Sequence, residues 1–285
     1  MESLFAGAAG FIGAGRSYDA ARLVLFGAPM DFTVSFRPGT RLGPQRIREV
    51  SWGIEEYSPY LDRELGEVPF YDAGDLLLAF GNVPACLAVI RRAADMIVQG
   101  GKVPLLLGGE HLVSLPAIEA VHARYPNLAV VHFDAHADLR EDYAGERHSH
   151  ATVMRRVADI VGPGNVYQFG IRSGTREELA WARHNTNTHL FAVAEPLAAA
   201  LPALTGRPVY VSLDIDVADP AFAPGTGTPE PGGCTSGELL AAVHMLGKLN
   251  VVGFDLVEVA PVYDQSERTS LLAAKILREF ILGRR

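Results

Sequence analysis

Two short acidic runs carry the strongest chemical signal in this sequence. The first, Asp134-Ala135-His136-Ala137-Asp138, follows an apolar run, Ala129–Phe133. Its polar side chains recur at i, i+2 and i+4, so in extended backbone they share one side of the chain. Two carboxylates and an imidazole pointing one way repel unless a cation sits among them. The spacing therefore reads as metal binding rather than as a solvated turn. The second run, Asp214-Ile215-Asp216, follows Val209–Leu213. Two carboxylates leaving a buried strand together also need compensation. A third cluster, Gly108-Gly109-Glu110-His111, follows Val103–Leu107. Its glycines permit a tight strand-to-helix turn, but the Lys and Ser/Thr of a phosphate loop are absent, and so is GxGxxG. His111 is read as a further ligand, with a packed core histidine as its alternative.

Together these are four carboxylates (Asp134, Asp138, Asp214, Asp216) and two imidazoles (His111, His136). One zinc takes three or four ligands, so the set is too large for it. It suits two divalent ions sharing carboxylates, roughly 3.5–4 Å apart. Oxygen-rich ligation with imidazole favours manganese. His132 shares parity with Asp134 but lies deeper in its strand, and reads as a buried, hydrogen-bonded histidine. His122, His184, His189 and His244 have no such company and read as structural or surface residues. His148 and His150 lie in a polar segment before a helix, where either could move protons. Asp219 precedes Pro220 and shapes a turn. Glu258, between two valines at a strand end, is either one half of an internal salt bridge or an anchor for a cationic substrate. A carboxylate grips a guanidinium through two parallel hydrogen bonds.

The elements that must position these residues alternate. Strands are expected at Leu23–Phe26, Pro69–Asp72, Val103–Leu107, Ala129–Phe133, Val166–Ile171, Leu190–Val193, Val209–Leu213 and Val251–Leu256. Helices are expected at Pro44–Tyr57, Val83–Gln99, Leu112–Tyr125, Thr152–Val161, Glu177–His184, Ser236–Lys248 and Arg268–Leu282. Several strands are apolar throughout, as parallel strands covered on both faces are. The rhythm predicts an α/β fold around a mostly parallel sheet, with ligands beyond the carboxyl ends of its strands. The Gly/Pro/Thr run from Pro224 to Gly233 reads as a pocket wall.

The chain has 285 residues, 48% hydrophobic and 20% charged, which excludes intrinsic disorder. With 33 acidic and 25 basic residues the net charge is −8, which argues against nucleic acid and against an anionic membrane. Cys86 and Cys234 form no spaced motif, as expected of a cytoplasmic protein. Residues 3–15 are apolar, but Glu2 stands where a leader peptide needs a cation and the first basic residue is Arg16. One domain is expected over 1–285, with 1–20 as an N-terminal arm.

The motifs Gly-Gly-Glu-His (108–111), Asp-Ala-His-Ala-Asp (134–138) and Ser212-Leu-Asp-Ile-Asp-Val-Ala-Asp-Pro220 resemble the three metal motifs of the ureohydrolases, the arginase and agmatinase family. Pro-Gly-Thr-Gly-Thr-Pro (224–229), Val-Glu-Val-Ala-Pro (257–261), Gly27-Ala-Pro-Met-Asp31 and Ser35-Phe-Arg-Pro-Gly-Thr-Arg41 look similar too, in order from about Phe26 to Pro261. The resemblance implies a three-layer α/β/α sandwich around a mostly parallel sheet of about eight strands. It implies two Mn2+ ions, one held by His111, Asp134, Asp138 and Asp214, the other by Asp134, His136, Asp214 and Asp216. His150 matches the proton-shuttle histidine and His148 does not. Glu258 matches the glutamate that receives the guanidinium, and Thr228 a threonine of the substrate pocket. Two departures stand out. Ala151 follows His150 where glycine is common, and Glu110 and Leu112 flank His111 where Asp and Ser are common.

Within the family, Arg140 to His150 lacks the arginase carboxylate-binding pattern, and Phe169-Gly-Ile-Arg-Ser173 looks like bacterial agmatinases. The resemblance implies hydrolysis of agmatine to putrescine and urea, a step of polyamine biosynthesis, by a homo-oligomer, trimeric or hexameric. The proton would reach the departing amine through Asp138 and His150. The alternatives are another guanidino substrate, as in a guanidinobutyrase or an arginase, a single-zinc deacetylase-like amidohydrolase, and an inactive binding protein.

Overall fold

The computed structural model describes residues 4–6, 10–15 and 17–284. In chain order the elements are β1 (Phe5–Ala6), β2 (Leu23–Ala28), α1 (Gly43–Ser51), β3 (Tyr57–Ser58), β4 (Arg63–Glu64) and β5 (Phe70–Leu76). Then come α2 (Val83–Gln99), β6 (Val103–Gly108), α3 (Ser114–Arg124), β7 (Ala129–Phe133), α4 (Val153–Val161) and β8 (Val166–Ile171). The chain closes with α5 (Arg176–Asn185), β9 (Asn187–Leu190), α6 (Ala194–Leu204), β10 (Pro208–Asp214), α7 (Ser236–Met245), β11 (Asn250–Val257) and α8 (Arg268–Leu282). Of the expected N-terminal arm, residues 1–3, 7–9 and 16 lie outside the described residues.

Among the described residues nine strands form one sheet in the order β1-β5-β2-β6-β11-β10-β7-β8-β9, and β3 and β4 form a separate pair. Eight of the nine run parallel; only β1 is antiparallel to its neighbour. Helices α1, α6, α7 and α8 cover one face through Ile47, Leu197, Leu239 and Phe280. Helices α2 to α5 cover the other through Ile90, Ile118, Val157 and Ala182. The architecture is the expected α/β/α sandwich. Strands buried on both faces can be apolar at every position, which is why Leu105-Leu106-Leu107 sits mid-sheet.

The topology places the site. From β6 the chain crosses to β7, and β10 and β11 later fill the gap between them. The carboxyl ends of β6, β11, β10 and β7 thus lie side by side at a point where the connection changes direction, the usual ligand crevice of such sheets. Among the described residues no helix is long and apolar enough to cross a membrane.

Two expectations shift. The edge strand β9 is Asn187–Leu190, not Leu190–Val193. An edge strand pairs on one side only, so polar residues are tolerated, and Phe191 ends it with a left-handed φ of 67°. The segment after it forms α6, which its prolines obscure. Pro196 sits in the first turn, where an N–H has no helical partner, and Pro202 falls near the end. Helix α1 stops at Ser51, short of Tyr57, where Gly53 turns the chain and bonds Val50 O at 2.9 Å.

Candidate metal centre and active site

Each candidate ligand sits where a central strand ends. His111 follows β6, and its approach requires glycine at 109, because a Cβ there would lie 1.8 Å from Met30 O. Asp134, His136 and Asp138 follow β7, while Asp214 ends β10 with Asp216 two residues on. All but His136 are buried, and His136 is partly exposed. Asp138 and Glu258 hold left-handed backbone, φ 53° and 63°. Such residues cost about 1–3 kcal/mol each and cluster where function requires the strain.

The imidazoles and carboxylates converge. Nδ1 of His111 lies 3.1 Å from Asp134 Oδ2, 3.4 Å from Asp138 Oδ2 and 3.2 Å from Asp214 Oδ2. Nδ1 of His136 lies 3.4 Å from Asp134 Oδ1 and 3.0 Å from Asp216 Oδ2. The two oxygens of Asp134 therefore face different imidazoles. This is the disposition of a carboxylate shared between two centres.

These residues fit a divalent cation. Ser212 Oγ gives its proton to Asp255 Oδ1 at 2.7 Å, so Nε2 of His111, 2.9 Å away, must donate to it. That leaves the lone pair of neutral His111 Nδ1 among three carboxylate oxygens, with no hydrogen-bond partner among the described residues. A cation among them removes this repulsion. A proton does so in part: burial works against charging His111, but Asp134 and Asp214 outweigh it and hold its pKa well above the ordinary value. Burial, together with Asp134, likewise pushes Asp138 well up, and burial together with Asp216 and Asp134 does the same to Asp214. A divalent ion satisfies all of them at once.

His132 also lies within reach of His111 and Asp134, but both its nitrogens are committed. Nε2 donates to Asp134 Oδ2 at 2.8 Å, and Nδ1 accepts from Gln168 Nε2 at 3.1 Å. It orients Asp134. Asp219 accepts the N–H groups of Ala221, Gly232 and Gly233 and so shapes its loop.

A cavity of about 280 Å³ opens over the cluster, lined by Ser35, Asp138, Tyr143, His150, Thr228 and Glu258 among others. Thr228 donates to Asp216 Oδ2 at 3.3 Å. Glu258 Oε1 accepts His111 N–H at 2.7 Å, and burial pushes the carboxyl up to about 8, partly offset by that bond. A cationic group against it would restore its charge. Burial pushes His150 down to about 4, which leaves a neutral imidazole. His148 is exposed and does not line the cavity.

A family model described as the arginase family matches residues 21–283. The chain belongs to the arginase family. Among relatives, it is 57% identical over 277 residues to the agmatinase of Bacillus subtilis, covering 96% of this chain and 95% of that protein. It is 37% identical over 279 residues to the guanidinobutyrase of Pseudomonas aeruginosa, covering 92% and 86%. The crystal structure of the agmatine ureohydrolase of Thermoplasma volcanium superposes with a TM-score of 0.89 at 33% identity, covering 98% of this chain and 95% of that one.

Sequence reasoning assigned no role to several residues that build this arginase-family site. Ser212 and Asp255 orient His111, Gln168 orients His132, and Thr33 and Ser35 reach His150. Arg172 donates to Asp216 O at 2.7 Å and to Glu230 O, tying β10 to the Gly/Pro/Thr loop. Ser212, Asp255 and Gln168 had one available signal: each is a polar side chain inside an otherwise apolar strand.

Proposed function

We propose that this protein is an agmatinase, hydrolysing agmatine to putrescine and urea with two Mn2+ ions. The observation that carries the reading is the shared cavity: His136, Asp138 and Asp214 of the cluster line it, and so does Glu258, buried and without a cationic partner among the described residues. Identity of 57% with the Bacillus subtilis agmatinase supports the substrate.

His111, Asp134, Asp138 and Asp214 would hold one ion, and Asp134, His136, Asp214 and Asp216 the other. When bound, the ions supply the attacking water in ionised form near neutral pH. Glu258 takes the guanidinium through paired hydrogen bonds and turns its carbon toward the cluster, converting an encounter into a positioned attack. Thr228 fixes Asp216 and lines the same wall. As the C–N bond breaks, the departing amine needs a proton, which Asp138 and His150 can relay from the cavity.

A second substrate reading has its own observation. Arg140 lines the cavity and would favour a tail carboxylate, as in guanidinobutyrate. Its charge is compensated, however, by Glu178 at 3.6 Å and by the Tyr143 ring at 5.0 Å, which favours agmatine. The wider reading includes one ureohydrolase domain over 1–285, a homo-oligomer, and a cytoplasmic location suited to two unpaired cysteines.

Purified protein supplied with Mn2+ should release urea and putrescine from agmatine faster than urea from guanidinobutyrate or arginine. Preference for either of those overturns the substrate. Asp134→Ala should lower the bound metal below two ions per chain; unchanged stoichiometry contradicts the assigned site.

A further inference from the structure

Three residues outside the metal cluster form a hydrogen-bonded chain between three separate segments. Thr33, in the loop between β2 and α1, donates its N–H and its Oγ1 to Oε2 of Glu110, at 2.7 and 2.9 Å. The same hydroxyl accepts the N–H of His150 at 3.0 Å. Two residues along that loop, Ser35 Oγ lies 3.1 Å from His150 Nε2. One loop thus holds His150 by backbone and by ring, and Glu110 holds the loop.

These bonds answer specific needs. His150 opens a single helical turn, where the first N–H groups have no partner in the helix. Ser149 caps the N–H of Ala151 at 3.2 Å and leaves that of His150 to Thr33. Glu110 is wholly buried, a costly place for a carboxylate that packing alone would not require. One of its oxygens takes both Thr33 donors, and the other has no partner among the described residues. Its backbone N–H bonds Met30 O at 2.7 Å, just ahead of the loop. The next residue is His111, whose ring meets the three carboxylates.

We propose that Glu110 and Thr33 are positioning residues that lock His150 to the backbone carrying His111, so that the proton-transfer group and the metal cluster keep one fixed separation. The proposal rests on His150 acting in the agmatinase reading. It explains why a glutamate at 110 serves here: the side chain must reach out of the strand-to-helix turn as far as the loop.

The test is Thr33→Val, which removes the hydroxyl but keeps the shape and the backbone N–H, with Thr33→Ser as the conservative rescue. Both are assayed with bound Mn2+ counted per chain. Thr33→Val should lower kcat on agmatine about tenfold or more with KM little changed, because proton transfer depends on placement. Thr33→Ser should keep most of the wild-type kcat, and so, as a separate single variant, should Glu110→Gln, whose amide oxygen can accept the same bonds. A second readout does not use turnover: modification of His150 by diethyl pyrocarbonate, mapped by mass spectrometry on the holoenzyme, should be faster in Thr33→Val. Equal loss of kcat in the Ser and Val variants overturns the proposal. So does a loss of metal or Tm with kcat per bound metal unchanged. If the wild type releases no urea from agmatine, the substrate reading fails by itself. The reactivity of His150 then decides, and unchanged reactivity overturns the proposal.

Discussion

Ser212 Oγ lies 2.9 Å from Nε2 of His111 and commits that nitrogen to donation, because the serine proton already goes to Asp255. The far side of the ring therefore presents its lone pair to Asp134, Asp138 and Asp214. Groups that orient a ligating imidazole typically contribute 10–100-fold to metal affinity. Ser212→Ala should weaken Mn2+ binding by about that factor in a chelator competition, with activity restored at saturating metal. Affinity within twofold of wild type would show that packing alone orients His111.

Metal removal should matter more as pH rises. Ligands must shed protons to bind a metal, so protons substitute for it at low pH and fail to do so at higher pH. The chelated protein should melt below the Mn2+-loaded one, with a larger gap at about pH 8 than at about pH 6. No gap at either pH would mean that the cluster binds no cation tightly, and a gap that fails to widen would mean that binding displaces no protons.

Among the described residues Glu258 has no counter-charge where it faces the cavity, while its other oxygen is occupied by His111 N–H. Glu258→Gln keeps that acceptor and removes the charge. Losing one partner of a buried charge pair costs about 2–5 kcal/mol. The variant should therefore lose at least about thirtyfold in kcat/KM for agmatine while retaining its metal. Loss of metal together with activity would move Glu258 from substrate to cluster.

Much of this was legible in the sequence for one physical reason. Strands β6, β7, β10 and β11 are buried on both faces, so they read as apolar runs, and a carboxylate at the end of such a run stands out. Parity then says which side chains point together. Other features had no such contrast. Strand β9 is a polar edge, and α6 carries two prolines. Thr33 lies in a loop without periodicity, and its partners Glu110 and His150 are 77 and 117 residues away. Their pairing exists only once the sheet has brought β2 beside β6.

Stability should show its own pH dependence through residues outside the cluster. Glu279, on α8, accepts Ser58 Oγ at 2.7 Å and His244 Nε2 at 2.8 Å, and pairs with Arg278. Burial alone would raise its pKa, but the bonds from Ser58, Arg278 and His244 outweigh it and hold the carboxyl below its ordinary 4.5. A depressed carboxyl pKa contributes stability that is fully present above the unfolded value and is lost as pH falls through the folded one. Glu279→Gln leaves the nearly buried Arg278 guanidinium without its counter-charge, which typically costs about 3 kcal/mol or more. At neutral pH the variant should therefore melt below wild type. The gap should close as pH drops below 4.5, where wild-type Glu279 also takes up a proton. Thermal unfolding of both proteins across that range measures it, and a gap independent of pH would mean that packing around α8, rather than the charge of Glu279, supplies the stability.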